Sequence, residues 1–233
     1  MTVVSCTDAD DLAATVAHQL RRSISQLQGD QDRVVQVCLT GGRIANRMYQ
    51  QLADGQGDNT VDWQRVEFWW GDERFVATES PDRNAGQTLA LLAATIPLDP
   101  AKVHPMPAEG GLADLNQAAV QYATELGDTR FDICLLGMGP DGHVASVFPD
   151  HPSSAASGSV IGVTDSPKPP PERLSLTLSV INKSAEVWLI VAGDEKAPAA
   201  ARAIAGDRDL PAGRVKGRLR TVWFVDQAAV PSR

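Results

Sequence analysis

The sequence predicts an α/β fold: a doubly wound, mostly parallel sheet with helices on both faces. Three observations predict it. Short runs rich in Val, Ile, Leu and Trp alternate with longer stretches whose apolar residues recur every three or four positions. Most of these runs stop abruptly at glycine or at charge, as strands do where a parallel sheet hands the chain to a helix. No internal repeat, long linker or clear boundary divides the 233 residues, so a single domain spanning 1–233 is expected.

Taken in order, Thr7 or Asp8 can cap a first helix whose stripe is Leu12, Val16, Leu20, Ile24 and Leu27, ending at Gly29-Asp30. Val34 to Leu39 reads as a strand, Thr40-Gly41-Gly42-Arg43 as a tight turn, and Ile44, Met48 and Leu52 mark a second helix. A Gly/Asp/Asn loop at 54–59 leads to a strand over Val66–Trp70, which runs into the charged stretch Gly71-Asp72-Glu73-Arg74-Phe75. Ser80 to Asn84 caps a helix with Leu89, Leu92 and Ile96, stopped by Pro97 and Pro100. Val103 to Met106 is extended, and Leu112, Leu115, Ala119, Tyr122 and Leu126 mark a helix closed by Gly127. Phe131 to Leu136 reads as a buried central strand. After it come a glycine turn, a Ser/Ala/Gly loop, a strand over Val160–Val163, a stiff proline-rich segment and a strand over Leu174–Leu178. Val187–Ala192 and Thr221–Val225 are the last strands, with an alanine-rich helix between them.

Composition narrows the function classes. Apolar residues at 43% and charged residues at 21% are ordinary for a soluble globular chain. A net charge of −8 argues against a nucleic-acid or anionic-membrane surface, while leaving room for a few cations in one cleft. Cys6, Cys38 and Cys134 are scattered, which reads as reduced core thiols and not a disulfide frame or zinc site. No apolar run approaches the length of about 20 residues that spans a bilayer, and the acidic N-terminal stretch is unlike a signal peptide. The cytoplasm is the expected compartment, and a monomer the expected state.

Chemistry concentrates at the ends of the predicted strands. Gly137-Met138-Gly139-Pro140-Asp141-Gly142 matches the G-x-G-x-x-G dinucleotide pattern. That mechanism needs a long helix straight after the third glycine, and Pro149 and Pro152 leave room for barely two turns. We therefore do not read it as an NAD or FAD site. The same turn carries Asp141 and His143; an imidazole titrates near pH ~6.5 and suits a general base, which a neighbouring carboxylate can orient. Taken alone, the pair is also compatible with a surface turn. Gly41-Gly42 ahead of a helix is equally a phosphate cradle or a plain turn, and a run such as Asp72-Glu73-Arg74 is more often a solvated loop, although the aromatics on both sides point to a partly enclosed position. Strand ends of a parallel sheet converge on one edge, however. Arg74, Lys196 and the helix after Gly42 can then form one phosphate site beside Asp141 and His143.

With those residues assembled, the sequence closely resembles the 6-phosphogluconolactonases of the pentose phosphate pathway. The resemblance is carried by LTGG at Leu39–Gly42, WWGDERFV at Trp69–Val76, DRN at Asp82–Asn84, LLGMGPDGHVASVFP at Leu135–Pro149, DSPKPPPER at Asp165–Arg173 and the Gly193/Lys196 pair. It implies a Rossmann-like fold shared with glucosamine-6-phosphate deaminases. It also implies hydrolysis of 6-phospho-D-glucono-1,5-lactone without metal or organic cofactor, with a small sugar-phosphate lactone as the only partner. On this analogy His143 activates water with Asp141 behind it. Arg74 and Lys196 bind phosphate with the Gly41-Gly42 loop, and Lys168 and Arg173 line the mouth. Asp72, Asn84 and Gly139, from the matching segments, complete the substrate-binding set. Many relatives carry Ser-Thr-Pro after the two glycines where this chain has Arg43-Ile44-Ala45, so Thr40, the backbone and Arg43 are expected to supply the missing contacts.

Two other functions stay in view. One is an aldose–ketose isomerase or deaminase of the same architecture, with Asp72 as its base. The other is a sugar-phosphate-sensing domain without turnover, for which no stretch has the spare length or basic charge of a helix-turn-helix.

Overall fold

The computed structural model describes residues 1–29, 33–55, 61–110 and 114–230. In chain order its strands are β1 (Thr2–Cys6), β2 (Val35–Leu39), β3 (Val66–Trp70), β4 (Asp72–Arg74), β5 (Val103–His104), β6 (Ile133–Gly137), β7 (Val160–Val163), β8 (Arg173–Leu176), β9 (Glu186–Val191) and β10 (Arg220–Asp226). The α-helices are α1 (Ala9–Leu27), α2 (Arg43–Asp54), α3 (Asn84–Leu92), α4 (Leu115–Leu126), α5 (Leu178–Ile181) and α6 (Ala197–Ile204).

Seven strands form one sheet in the order β1-β10-β9-β6-β2-β3-β5, and every neighbouring pair is parallel. β4, β8 and β7 form a separate antiparallel sheet. The central strands are apolar along their whole length because both faces are covered: Ile133 to Leu136 are each at most 1% exposed. With right-handed crossovers, the steps toward β5 through α1, α2 and α3 share one face, and the steps back through α4 and α6 take the other. The packing of α1 on α2 and of α2 on α3 agrees with this.

α1 and α4 start at side-chain caps, Asp8 and Asp114. The Asp8 carboxylate accepts from the amides of Asp10 and Asp11, and α1 then buries Leu12, Val16, Leu20 and Ile24. Burying each such side chain contributes about 1.5–3 kcal/mol. α4 ends at Gly127, whose φ of 51° suits a residue without Cβ.

Several expectations need correction. β1 is an additional strand; it lies at the sheet's edge and is largely exposed, so its sequence lacks the apolar signature. The charged stretch after β3 is not a loop. Its residues 72–74 pair with β8, and the alternating pleat sends charges to opposite sides. α3 ends at Leu92, before either proline, and Ile96 packs into the core beyond it. Pro152–Ala155 forms a short 3-10 turn inside the expected loop. The strand expected to reach Leu178 stops at Leu176, and Leu178 begins α5. Asp30, loop residues 56–59 and Leu112 lie outside the described residues.

The topology creates one crevice. The chain leaves β2 toward β3 and leaves β6 toward β9, so the loops at the carboxyl ends of these adjacent strands diverge. Tyr49 of α2 fixes the β2 side. Its buried hydroxyl accepts from the Thr40 amide at 3.1 Å and donates to the Thr40 carbonyl at 2.7 Å. Replacing Tyr49 by Phe leaves both main-chain groups unpaired in a dry site, and is expected to lower the unfolding free energy by about 1–3 kcal/mol in denaturant titration.

Candidate active site

The carboxyl ends of β2, β6, β9 and β10, with β4 and the proline-rich segment, enclose a cavity of about 500 Å³. Every residue singled out from sequence lines it except Asp141, which stands behind His143. Thr40, Gly41, Gly42 and Arg43 come from the β2–α2 turn; Asp72, Arg74 and Asn84 come from β4 and the start of α3. Gly139 and His143 follow β6, while Lys168 comes from the proline-rich segment, Arg173 from the start of β8 and Lys196 from the turn after β9.

The Asp141 carboxylate meets His143 Nδ1 at 2.6 Å. Burial pushes the Asp141 carboxyl upward, but the hydrogen bond and charge of His143, helped by the His143 amide and Lys168, overcome it and bring it down to about 2. At neutral pH the carboxylate is therefore acceptor-only, so Nδ1 is the donor to it and Nε2 is the ring nitrogen left for another partner. Phe148 packs at 4.6 Å from the imidazole centroid and steadies the ring. Gly139 is needed for a specific reason: a Cβ there would lie 2.1 Å from the imidazole and 2.4 Å from Asp141 Oδ1.

The turn amides are largely spent on the turn itself. The Gly139 amide donates to the His143 carbonyl, the Gly142 amide to the Gly139 carbonyl, and the Gly137 amide to Thr40 Oγ1. At the opposite wall, Gly42 precedes α2 with φ of 105°, and no side chain caps the helix. Gly42, Arg43 and Ile44 at this helix start line the space, and the amino end of a helix suits an anion.

The cations divide into two kinds. Lys196 donates Nζ to the Met138 carbonyl; burial, then repulsion from Lys168, lowers its ammonium pKa, with Glu195 opposing. Arg43 is 95% exposed and 3.8 Å from Glu195, a rim pair of little energy. Arg74 reaches the Asp82 carbonyl and keeps a buried Nε without a partner. Arg173 is different. It is 5% exposed and spends Nε and Nη2 on the carbonyls of Pro170, Lys168 and Pro169, so it holds the proline-rich segment more than it offers a free charge. Asp72 is also held, by Ser146 Oγ at 2.7 Å.

Sequence reasoning missed Asp226, which lines the cleft and accepts from the Gly193 amide at 3.1 Å. A carboxylate at the end of the last strand was the available signal. Arg47 and Glu195 were missed at the rim. Among the described residues no cluster of three or more His, Cys, Asp or Glu could hold a metal, and no helix is long and apolar enough to cross a membrane.

Fold and cleft define an α/β protein whose carboxyl-edge crevice brings a His–Asp pair together with the side chains of Arg43, Arg74, Lys168 and Lys196 and the amino end of α2. The chain belongs to the family described as glucosamine-6-phosphate isomerases/6-phosphogluconolactonase, whose model matches residues 7–223. It is 43% identical to the 6-phosphogluconolactonase of Streptomyces coelicolor, over 95% of this chain and 90% of the relative. The corresponding Mycobacterium leprae protein is 38% identical over 95% and 94%. Among solved structures, 6-phosphogluconolactonase from Thermotoga maritima superposes with a TM-score of 0.85 at 28% identity, covering 97% and 99% of the two chains. A monomeric glucosamine-6-phosphate deaminase shares the fold, with a TM-score of 0.79 at 21% identity over 98% of each chain.

The depressed Asp141 pKa carries a stability consequence. Folding favours the ionised carboxylate, so its contribution is complete above the unfolded value of about 4 and is lost as pH falls toward about 2. In denaturant unfolding at pH 6, 4 and 2.5, Asp141→Asn is expected to be less stable than wild type at pH 6. The gap should narrow as the solution is acidified.

Proposed function

We propose that this chain hydrolyses 6-phospho-D-glucono-1,5-lactone to 6-phosphogluconate, in the oxidative pentose phosphate pathway of the cytoplasm. The observation that carries the reading is the shared cavity: a His–Asp pair and an anion-binding wall, in a chain 38–43% identical to bacterial 6-phosphogluconolactonases. Three buried free cysteines agree with a reducing compartment. One contiguous apolar core underlies the sheet and its helices, in keeping with a single domain, and a monomer is the state proposed.

In the proposed reaction His143 Nε2 removes a proton from water as its oxygen attacks C1 of the lactone. The imidazolium formed is stabilised by the Asp141 carboxylate. A cation of the same cleft other than Lys196 meets the charge on the carbonyl oxygen. The C1–O5 bond then breaks, the proton held by His143 passes to O5, and the carboxylic acid formed gives its remaining proton to solvent, so that the product leaves as a carboxylate with a free C5 hydroxyl. General-base assistance contributes about 10²–10⁴-fold. The phosphate lies far from C1, so its binding to the α2 amides, Lys196 and Arg43 can hold the ring for attack. No metal or organic cofactor enters the scheme.

One observation favours a second reading. Asp72 lines the same cavity and is held in place by Ser146, as a base moving a proton between C1 and C2 would need to be. Ammonia release from glucosamine 6-phosphate, assayed beside lactone loss, separates the two. On the lactonase reading His143→Ala lowers kcat by about two to four decades with little change in KM. Near-normal turnover of that variant would remove His143 from the role. Lys196→Ala is expected to raise KM about ten- to a hundredfold, the loss of one charge-assisted contact, while kcat changes less.

A further inference from the structure

Glu73 lies between Asp72 and Arg74 in β4, yet faces the other way. Its neighbours line the cavity, while its own side chain is 0% exposed. Oε1 accepts from the amides of Arg74 at 2.8 Å and Asn84 at 2.7 Å, and Oε2 accepts from the Ala85 amide at 2.8 Å. The buried Arg83 guanidinium stands 3.8 Å away and is itself anchored on the carbonyls of Met106 and Pro107.

This carboxylate caps α3 from outside the helix. Arg83, at the N-cap position, makes no side-chain cap bond, and Glu73 supplies the missing acceptor. The first helical residue, Asn84, then turns its side chain back toward the cleft. Its Nδ2 donates to the Asp72 carbonyl at 3.0 Å. Its Oδ1 fits so closely over Gly41 that a Cβ there would come within 1.9 Å. One buried group thus fixes the main chain of two cleft residues on two separate elements.

We propose that Glu73 is a positioning residue for the lactonase reaction, holding Arg74 and Asn84 where their side chains meet the substrate while touching no part of it. The proposal rests on the lactonase reading. It implies that removing the carboxylate harms catalysis only through Arg74 and Asn84.

The test is a mutant cycle in the full chain, following hydrolysis of the lactone above its spontaneous rate. Glu73→Gln keeps an acceptor for Arg74 and Asn84 but sets an N–H against the Ala85 amide. It is expected to lower kcat/KM about ten- to a hundredfold, chiefly through KM. In an Arg74→Ala/Asn84→Ala background the same change should cost less than about threefold. An equal loss in both backgrounds would make Glu73 a general structural residue and overturn the proposal. Where Glu73→Gln fails to fold, Glu73→Asp, which keeps the charge one methylene short, is put through the same cycle with the same two outcomes. Wild-type turnover no faster than the spontaneous reaction would overturn the lactonase reading and this proposal together; turnover with additive losses would overturn this proposal alone.

Discussion

Two adjacent parallel strands whose chain departs in opposite directions cannot close over the gap between them. β2 and β6 are such a pair, and the cleft is the space they leave. The constraint fixes more than location. It sets the amino end of α2 at one wall and the glycine turn that carries Asp141 and His143 at the other, without any long loop. Thr40 Oγ1, accepting the Gly137 amide at 3.2 Å, ties the two lips together at their closest approach.

The electrostatics are local and oppose those of the molecule as a whole. The chain carries −8 overall, while Arg43, Arg74, Lys168, Arg173 and Lys196 line a single cavity. Crowding these cations has a cost, visible in the lowered pKa of Lys196, where burial leads and Lys168 adds repulsion. Arg173 bears that cost as well: burial, opposed by Asp72 and reinforced by Arg74, lowers its guanidinium pKa, and its Nε and Nη2 turn to carbonyls at the expense of being an open ligand. An incoming dianion would relieve the repulsion among those that remain.

Much of this was legible in the residues. The sheet could be read because its inner strands are buried on both faces and end at glycine, and the dyad because Asp141 and His143 share one tight turn. What escaped has physical reasons. β1 is an edge strand with a half-wet face, so it lacks a continuous apolar run. β4 is three charged residues long, and only its pairing with β8, about a hundred residues away in sequence, makes it a strand. The division of labour among the arginines depends on which carbonyls lie within reach, which no local pattern records. Glu73 shows the same limit: in sequence it is one acid among neighbours, and only the position of α3 makes it a cap.

The chain has two tyrosines, and both are locked to main chain at strand ends: Tyr49 on Thr40, and Tyr122 on the Trp70 amide and the His104 carbonyl. Burial pushes both phenols well above their ordinary range, with the main-chain hydrogen bonds only partly offsetting it. Neither ring can surrender its proton while it pins the backbone. In alkali the phenolate absorbance of this molecule therefore follows the opening of its sheet, making the two rings built-in optical gauges of the architecture that supports the cleft.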